Sequence, residues 1–313
     1  MKNYIFNSLF LACLVLIISC SGKTNSNSNT STPTSGTTTI AVDETLYPII
    51  KAEKEVFEAI YDQAKINILV LSEREAFVAL EKGKVDLVIA ARKLTASQEN
   101  YFKQKTVFPK HNAIAVDAIA VIVNPSNPDS TFLVDDLKNI ITGKFKNWNE
   151  LMPKNNLGKI NIVFDNFNSG IVRYLLDSIG NGEKFLSNMT NSKSNENVIK
   201  EVAKNKNSIG FIGANWISDH DDSTAMTFLK EIRVAYLSPQ DGMEFVQPYQ
   251  AYLAINQYPI ARKIYTICTE PKSGLATGFV SFLASDRGQR IILKSGILPI
   301  TAPIRILNVK NEM

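Results

Sequence analysis

Side chains that can bind an anion stand where predicted strands give way to predicted helices. These positions are Thr45, Ser72, Arg92 and the pair Ser169-Gly170. An oxyanion is held by dense hydrogen-bond donors, and hydroxyl groups, a guanidinium group and backbone N–H groups at helix N-termini are suitable donors. Each Ser or Thr is also an ordinary N-cap residue, so no single position is diagnostic. Taken together, they predict an oxyanion-binding site.

The elements that must position these residues follow from the hydropathy pattern. Short apolar runs alternate with amphipathic stretches from Thr39 onward, which is typical of an α/β fold with a largely parallel sheet. We predict strands at 40–42, 66–71, 86–90, 116–123, 160–164 and 208–212. We predict helices at 47–62, 73–82, 133–141, 170–179, 195–204, 258–267, 274–285 and 286–294. This topology brings the ends of the strands, and with them the four positions, to one side of the sheet.

The length of 313 residues favours two lobes rather than one. The Asn- and Pro-rich segment 124–129 cannot continue a strand and marks a crossover into a second lobe. Residues 246–258 are predicted to form the return crossover. We therefore expect one lobe from 39–122 with 246–313, and the other from 123–245.

The N-terminal segment is predicted to be processed. Ten apolar residues from Leu9 to Ile18 precede Ser19-Cys20, which predicts a lipoprotein signal peptide at 1–19 and lipidation of Cys20. Eleven of the 18 residues in 21–38 are Ser or Thr, so residues 20–38 are expected to form a flexible tether. The folded part would then stand off a bacterial membrane, facing the periplasm or the exterior.

Composition excludes several classes of function. The 34 Lys and Arg residues nearly balance 30 Asp and Glu, which gives no support to a nucleic-acid-binding protein. Two histidines and three cysteines are too few for a clustered metal site. No Ser/His/Asp or Cys/His arrangement is recognisable, so we expect neither an enzyme nor a bound cofactor.

Four segments carry a resemblance to a known family: VDLVIAARKLT (85–95), IAVDAIAVIVNPSNPD (114–129), LKNIITGKFKNWNEL (137–151) and GQRIILKSGILP (288–299). They resemble the phosphate-binding proteins of bacterial phosphate ABC transporters. The resemblance implies a type II periplasmic binding fold, in which two α/β lobes joined by two crossovers close over a ligand. It further implies a monomeric, lipid-anchored solute-binding protein that delivers an inorganic oxyanion, most often phosphate, to a transporter permease.

The resemblance assigns site residues with some departures. Thr45, Ser72 and Ser169-Gly170 match ligand-binding positions of the family, whereas Ile171 replaces a threonine. Two charges are exchanged: Arg92 stands where the family carries a carboxylate, and Asp165 stands where it carries an arginine.

This exchange has two interpretations. In one, Arg92 donates to the anion while Asp165 accepts a proton from the ligand. In the other, Arg92 and Asp165 pair with each other across the closed lobes and phosphate is not the ligand. The corresponding functional alternative is a ligand sensor or interaction module on the cell envelope that has no role in transport.

Overall fold

The computed structural model describes residues 31–182 and 189–301. The predicted signal peptide, Cys20 and residues 20–30 of the predicted tether lie outside these described residues. Ser31 begins one compact unit of the chain. Among the described helices, none combines the length and the apolar character that crossing a membrane requires.

Strands and helices alternate along the described residues. The strands are β1 Gly36–Asp43, β2 Ala64–Leu71, β3 Leu87–Ala90, β4 Lys110–Val123, β5 Thr131–Leu133, β6 Asn161–Phe164, β7 Thr190–Asn191, β8 Ser208–Gly213, β9 Arg233–Val234, β10 Tyr236–Ser238, β11 Ala261–Cys268 and β12 Leu298–Pro299. The helices are α1 Tyr47–Ile60, α2 Glu73–Glu81, α3 Ala96–Gln104, α4 Val134–Thr142, α5 Trp148–Leu151, α6 Gly170–Tyr174, α7 Asn195–Lys204, α8 Ser223–Glu231, α9 Gln250–Ala254, α10 Leu275–Leu283 and α11 Asp286–Lys294. Short 3₁₀ helices follow β1 and β8, and a π-helical turn, Leu175–Ile179, follows α6. The predicted α/β fold is confirmed.

Ten of the described strands form a mixed sheet. Its strand order is β2-β1-β3-β11-β4-β8-β6-β7, and β9 and β12 also pair with β4. Strand β1 is parallel to β2 and β3, and β6 is parallel to β7 and β8. Strands β4 and β11 are antiparallel to their neighbours in this path. The sheet therefore consists of two parallel groups joined through β11 and β4.

Strand β4 belongs to both groups. Its first part, up to Ala118, pairs with β11, and its last five residues, Ile119–Val123, pair with β8. One apolar core surrounds the second group, and two further cores cover the faces of the first group. The chain thus passes from one half of the molecule to the other inside β4, before the Asn- and Pro-rich segment at 124–129 that was expected to mark the crossover.

The return to the first half also differs from the expectation. Val246, Leu253, Tyr258 and Ile260 are buried in the core of the second half. The chain leaves that core at β11, so the predicted crossover at 246–258 is too early. We define the first half of the molecule as β1–β3, α1–α3, α10 and α11, and the second half as β6–β8 and α4–α8.

The predicted helix at 258–267 is wrong, because this segment forms β11 between β3 and β4. In the first part of this strand, residues alternate between buried and less buried, with Arg262 and Ile264 buried. The run Ile-Tyr-Thr-Ile is β-branched and aromatic, which favours a strand. These residue types indicated a strand, but the helical spacing of other apolar residues led to the prediction of a helix.

The predicted tether ends too late. Gly36–Thr38 already belong to β1, where they pair with Ala64–Ile66 of β2. Ser31 Oγ accepts a hydrogen bond from the Leu275 backbone N–H at the start of α10. Residues 31–38 are therefore part of the folded unit.

Candidate functional site

Five residues meet at the interface between the two halves, and two of them, Asp165 and Gly170, lie in the same segment, which leads from β6 into α6. The five residues are Asp43 at the end of β1, Glu73 at the start of α2, Asp165 after β6, Gly170 at the start of α6 and Arg262 in β11. We call them the Gly170 cluster. A methyl group built on Gly170 would lie 2.5 Å from Asp43 Oδ2, 2.7 Å from Glu73 Oε2 and 3.1 Å from Arg262 Nη1. Glycine is thus the residue that allows these charged groups to approach the backbone of α6 so closely.

Two of the carboxyl groups each keep one oxygen without a partner. Asp43 Oδ1 accepts from the Thr45 backbone N–H at 3.4 Å and from the Thr45 hydroxyl at 3.3 Å. Asp165 Oδ1 accepts from the Ser169 hydroxyl at 2.7 Å. The second oxygen of each carboxyl group is buried and has no hydrogen-bond partner among the residues that the structure describes. Because an unpaired buried polar atom costs free energy, both oxygens are suited to a ligand or a proton.

Arg262 is held by a buried ion pair. Its Nε and Nη2 donate to Asp117 Oδ2 at 3.3 and 3.1 Å, and both side chains are essentially inaccessible to solvent. Asp117 and Arg262 are cross-strand partners in β4 and β11, so the register of the sheet creates the pair. Arg262 Nη1 has no hydrogen-bond partner within residues 31–182 and 189–301, and it lies 3.1 Å from the position of a methyl group built on Gly170.

Glu73 occupies the remaining side of the cluster and binds two arginines. Arg92 Nε donates to Glu73 Oε1 at 3.2 Å. Arg173 of α6 donates through Nε to Oε1 at 2.5 Å and through Nη2 to Oε2 at 3.3 Å. The guanidinium of Arg92 also stacks on Phe77 at 3.7 Å from the ring centroid and donates to Gln98 Oε1. Arg92 is therefore beside the cluster, and protein groups accept hydrogen bonds from its Nε and Nη1.

Burial shifts the pKa values of the acidic groups upward. Burial, together with the negative charges of Glu73 and Asp165, raises the pKa of Asp43 to about 8, although Arg262 opposes this shift. Burial raises the pKa of Asp165 to about 6, against the stabilising hydrogen bond from Ser169. At neutral pH the Asp43 carboxyl is accordingly protonated, and Asp165 is the more ionised of the two.

Hydrogen bonds join the two halves around the cluster. Glu44 accepts from the backbone and side-chain N–H groups of Asn195 at the start of α7. The Thr45 carbonyl accepts from Asn215 Nδ2 at 3.0 Å and from Trp216 Nε1 at 2.9 Å. Burial raises the pKa of Glu44 to about 7, with the Asn195 hydrogen bond acting against it. These contacts join the two halves beside the cluster, whose members are all buried.

The predicted site residues are only partly brought together. Asp165, Ser169 and Gly170 lie in or next to the cluster, and Thr45 hydrogen-bonds to Asp43. The Ser72 hydroxyl instead donates to Glu75 Oε2 at 2.7 Å and accepts from its backbone N–H, which is a capping box. The predicted alternative of an Arg92–Asp165 ion pair is wrong, because Arg92 pairs with Glu73.

Sequence reasoning missed three members of the cluster: Asp43, Glu73 and Arg262. Asp43 lies two residues before Thr45, and Glu73 directly follows Ser72, so both are close to the predicted positions at strand ends. Asp117 and Arg262 are charged residues in largely apolar segments. Because a buried charge needs a partner, this was the available signal in the sequence for an ion pair on adjacent strands. In the described part of the chain, no group of three or more His, Cys, Asp or Glu residues could hold a metal ion.

Comparisons with known proteins agree with this architecture. The phosphate-binding protein PstS of Staphylococcus aureus (strain bovine RF122 / ET3-1) is 24% identical over 253 residues, which cover 78% of this chain and 73% of that protein. A candidate substrate-binding protein of a Clostridium perfringens phosphate ABC transporter, solved with bound phosphate, superposes with a TM-score of 0.72 at 22% identity. That match covers 85% of this chain and all of the other.

A second solved structure gives the same result. The ABC-type phosphate transport receptor of Vibrio cholerae superposes with a TM-score of 0.63 at 20% identity, over 84% of this chain and all of that one. The resemblance found from sequence motifs and the type II binding fold are thereby confirmed. A family model described as the PBP superfamily domain matches residues 27–287, which is well over half of the sequence, and the chain therefore belongs to the PBP superfamily.

Proposed function

We propose that this protein captures phosphate outside the cytoplasm and delivers it to an ABC transporter permease, acting as a binding protein and not as an enzyme. The observation that carries the proposal is the buried, unpartnered Nη1 of Arg262 beside Gly170, in a chain similar to named phosphate-binding proteins. A guanidinium N–H is a strong donor to phosphate oxygens, and its strength increases away from water. The halves described above act as the two lobes, with β4 and β11 as the connections between them.

The anion would bind beside Gly170. Arg262 Nη1 and the Gly170 amide supply donors, the Ser169 hydroxyl orients Asp165 by donating to its Oδ1, and Thr45 supports the site through Asp43. Arg92 and Arg173 add positive charge from the far side of Glu73. Ser72 contributes by fixing the start of α2, and so the position of Glu73, through its capping box.

Asp165 determines the selectivity of the site for phosphate over sulfate. Its Oδ2 is buried without a partner, and the carboxyl group is largely ionised at neutral pH. Monohydrogen phosphate can donate its proton to this oxygen. Sulfate has no proton to donate at neutral pH, so it would face the carboxylate with unrelieved repulsion.

Calorimetric titration of the chain without residues 1–19 tests the proposal. We expect phosphate to bind at pH 7.5 and sulfate to bind at least 100-fold more weakly. In Asp165→Asn the sulfate affinity should rise by about 10-fold or more, because an amide can donate to sulfate and carries no charge, a difference of about 1.4 kcal/mol per factor of ten. Asp62→Asn, at an exposed turn, is the matched control and should leave both affinities unchanged.

Two results would contradict this function. Absence of phosphate binding by the wild-type chain would favour a sensor or interaction role instead. Equal discrimination against sulfate by the wild-type chain and Asp165→Asn would remove Asp165 as the group that selects the anion.

We further propose that Cys20 anchors the protein to a membrane through acyl chains. The support is the apolar run Leu9–Ile18 followed directly by Ser19-Cys20. Mass spectrometry of the membrane fraction should find acyl groups on a mature chain that begins at Cys20, and Cys20→Ala should release the protein to the soluble fraction. An unmodified chain that begins elsewhere would disprove the anchor.

A further inference from the structure

Glu73 brings a buried negative charge into the place where a bound anion would need positive charge. Its side chain is only 3% exposed, and it is the first residue of α2. Its carboxylate receives three charge-assisted hydrogen bonds, one from Arg92 and two from Arg173. Fork-like contact of this kind is how arginine binds a phosphate group as well as a carboxylate.

The position of Glu73 leaves no room for a ligand. Glu73 Oε2 and Asp43 Oδ2 lie 2.7 and 2.5 Å from the point where a methyl group on Gly170 would stand. Arg262 Nη1 lies 3.1 Å from the same point. A tetrahedral oxyanion that contacts Gly170 and Arg262 would therefore overlap these carboxyl oxygens.

We propose that Glu73 is an internal competitor of the ligand: its carboxylate binds the arginines that would otherwise be available to an anion at Gly170, and an anion that binds there must displace it. This inference rests on the proposed function, because it concerns the affinity of the same anion site. It makes Glu73 a residue that determines affinity without itself donating a hydrogen bond to the anion.

The same contact also affects closure of the cleft. Arg173 belongs to α6 in the second half, whereas Glu73 and Arg92 belong to the first half. Arg173 Nη2 additionally donates to the Ala91 carbonyl at 3.2 Å. Glu73 therefore bridges the two halves through Arg173, and a ligand must both replace this carboxylate and restore the bridge between the halves.

This arrangement predicts opposite effects for the two partners of one ion pair. Glu73→Gln keeps the shape of the side chain and one carbonyl acceptor, but it removes the competing charge, so phosphate should bind at least 10-fold more tightly. Arg173→Gln removes a guanidinium group that would bind the anion once Glu73 is displaced, so phosphate should bind at least 10-fold more weakly. A purely structural role of the pair would weaken binding in both variants.

The matched control is Glu75→Gln. Glu75 lies two residues away on α2, and glutamine preserves the capping box with Ser72. This variant removes the same charge from the same helix but contacts neither arginine. Its phosphate affinity should stay within about threefold of the wild type.

The experiment is calorimetric titration with inorganic phosphate, combined with small-angle X-ray scattering with and without phosphate. Without ligand, Glu73→Gln should have a larger radius of gyration than the wild type, and phosphate should reduce it to the same value. Thermal unfolding of each variant establishes that it is folded. Unchanged or weaker phosphate binding by a folded Glu73→Gln overturns the proposal, and so does an identical radius of gyration without ligand.

The outcomes separate this inference from the proposed function. If the wild type binds phosphate and Glu73→Gln is no tighter, only the competition is wrong. If neither chain binds phosphate, the phosphate function itself fails, and the competition fails with it.

Discussion

Replacing Arg262 by Met will lower the free energy of unfolding by about 3–5 kcal/mol, because the change leaves the buried carboxylate of Asp117 without its partner. Both side chains are at most 1% exposed, so water cannot replace the lost hydrogen bonds. Burial already raises the pKa of Asp117, and Arg262 opposes that shift. Without the arginine, Asp117 must either stay charged in an apolar surrounding or take up a proton. Chemical denaturation followed by circular dichroism measures the loss.

The double variant Asp117→Leu with Arg262→Met separates stability from binding. Replacing both members of a buried ion pair by apolar residues of similar volume is often close to neutral. We therefore expect the double variant to regain most of the lost stability. It still lacks Arg262 Nη1, so phosphate binding should remain at least 100-fold weaker than in the wild type. A stable double variant that binds phosphate normally would remove Arg262 from the site.

The local signals in the sequence were sufficient for the elements that border the site. Helix α7 was predicted at 195–204 and lies at Asn195–Lys204, and α2 was predicted within one residue of its end. Ser72, Ser169 and their neighbours follow the ordinary rules of helix capping, which act over three or four residues. Residues that obey such short-range rules are predictable from sequence alone.

The charge arrangement of the site was not predictable in the same way. Glu73 and Arg173 are 100 residues apart in the chain, and no local pattern relates them. Arg92 was expected to donate to the anion because of its place after β3. Its guanidinium instead donates to Glu73 and stacks on the ring of Phe77. Predicting this needs the packing of α2 against the second half, which depends on contacts between segments far apart in the chain rather than on any one segment.

The error at β11 had the largest consequence for the site. A helix at 258–267 would place Arg262 on a helix surface, where an arginine is normally solvated. As a strand between β3 and β4, the same segment places Arg262 opposite Asp117 in the centre of the sheet. The assignment of one element thus decided whether a principal charge of the site could be recognised.

Glu53 produces a second large effect on stability. It lies on α1, the helix after β1, and is not a member of the Gly170 cluster. Its side chain is fully buried on the face of α1 that also buries Ile50 and Phe57, and in the described part of the chain neither carboxyl oxygen has a hydrogen-bond partner. Burial raises the pKa of Glu53 from 4.5 to about 9. The folded chain therefore keeps this carboxyl group protonated at neutral pH.

The sign of the pH dependence follows from proton binding. Between pH 4.5 and about 9, the folded state holds a proton on Glu53 that the unfolded state has lost. Stability must then fall as the pH rises through this range, by up to about 1.4 kcal/mol for each pH unit. At pH 7 the accumulated loss reaches about 3 kcal/mol relative to pH 4.5.

Glu53→Gln will remove this loss, because glutamine has a similar shape to protonated glutamic acid and does not ionise. We expect the variant and the wild type to have similar free energies of unfolding near pH 4.5, and the variant to be about 3 kcal/mol more stable at pH 7. Denaturant titrations at several pH values between 4.5 and 8 measure the difference. Glu55→Gln is the control, since Glu55 lies on the same helix with a side chain 61% exposed, and it should follow the wild-type curve. Parallel curves for the wild type and Glu53→Gln across this range would mean that Glu53 is ionised in the folded chain.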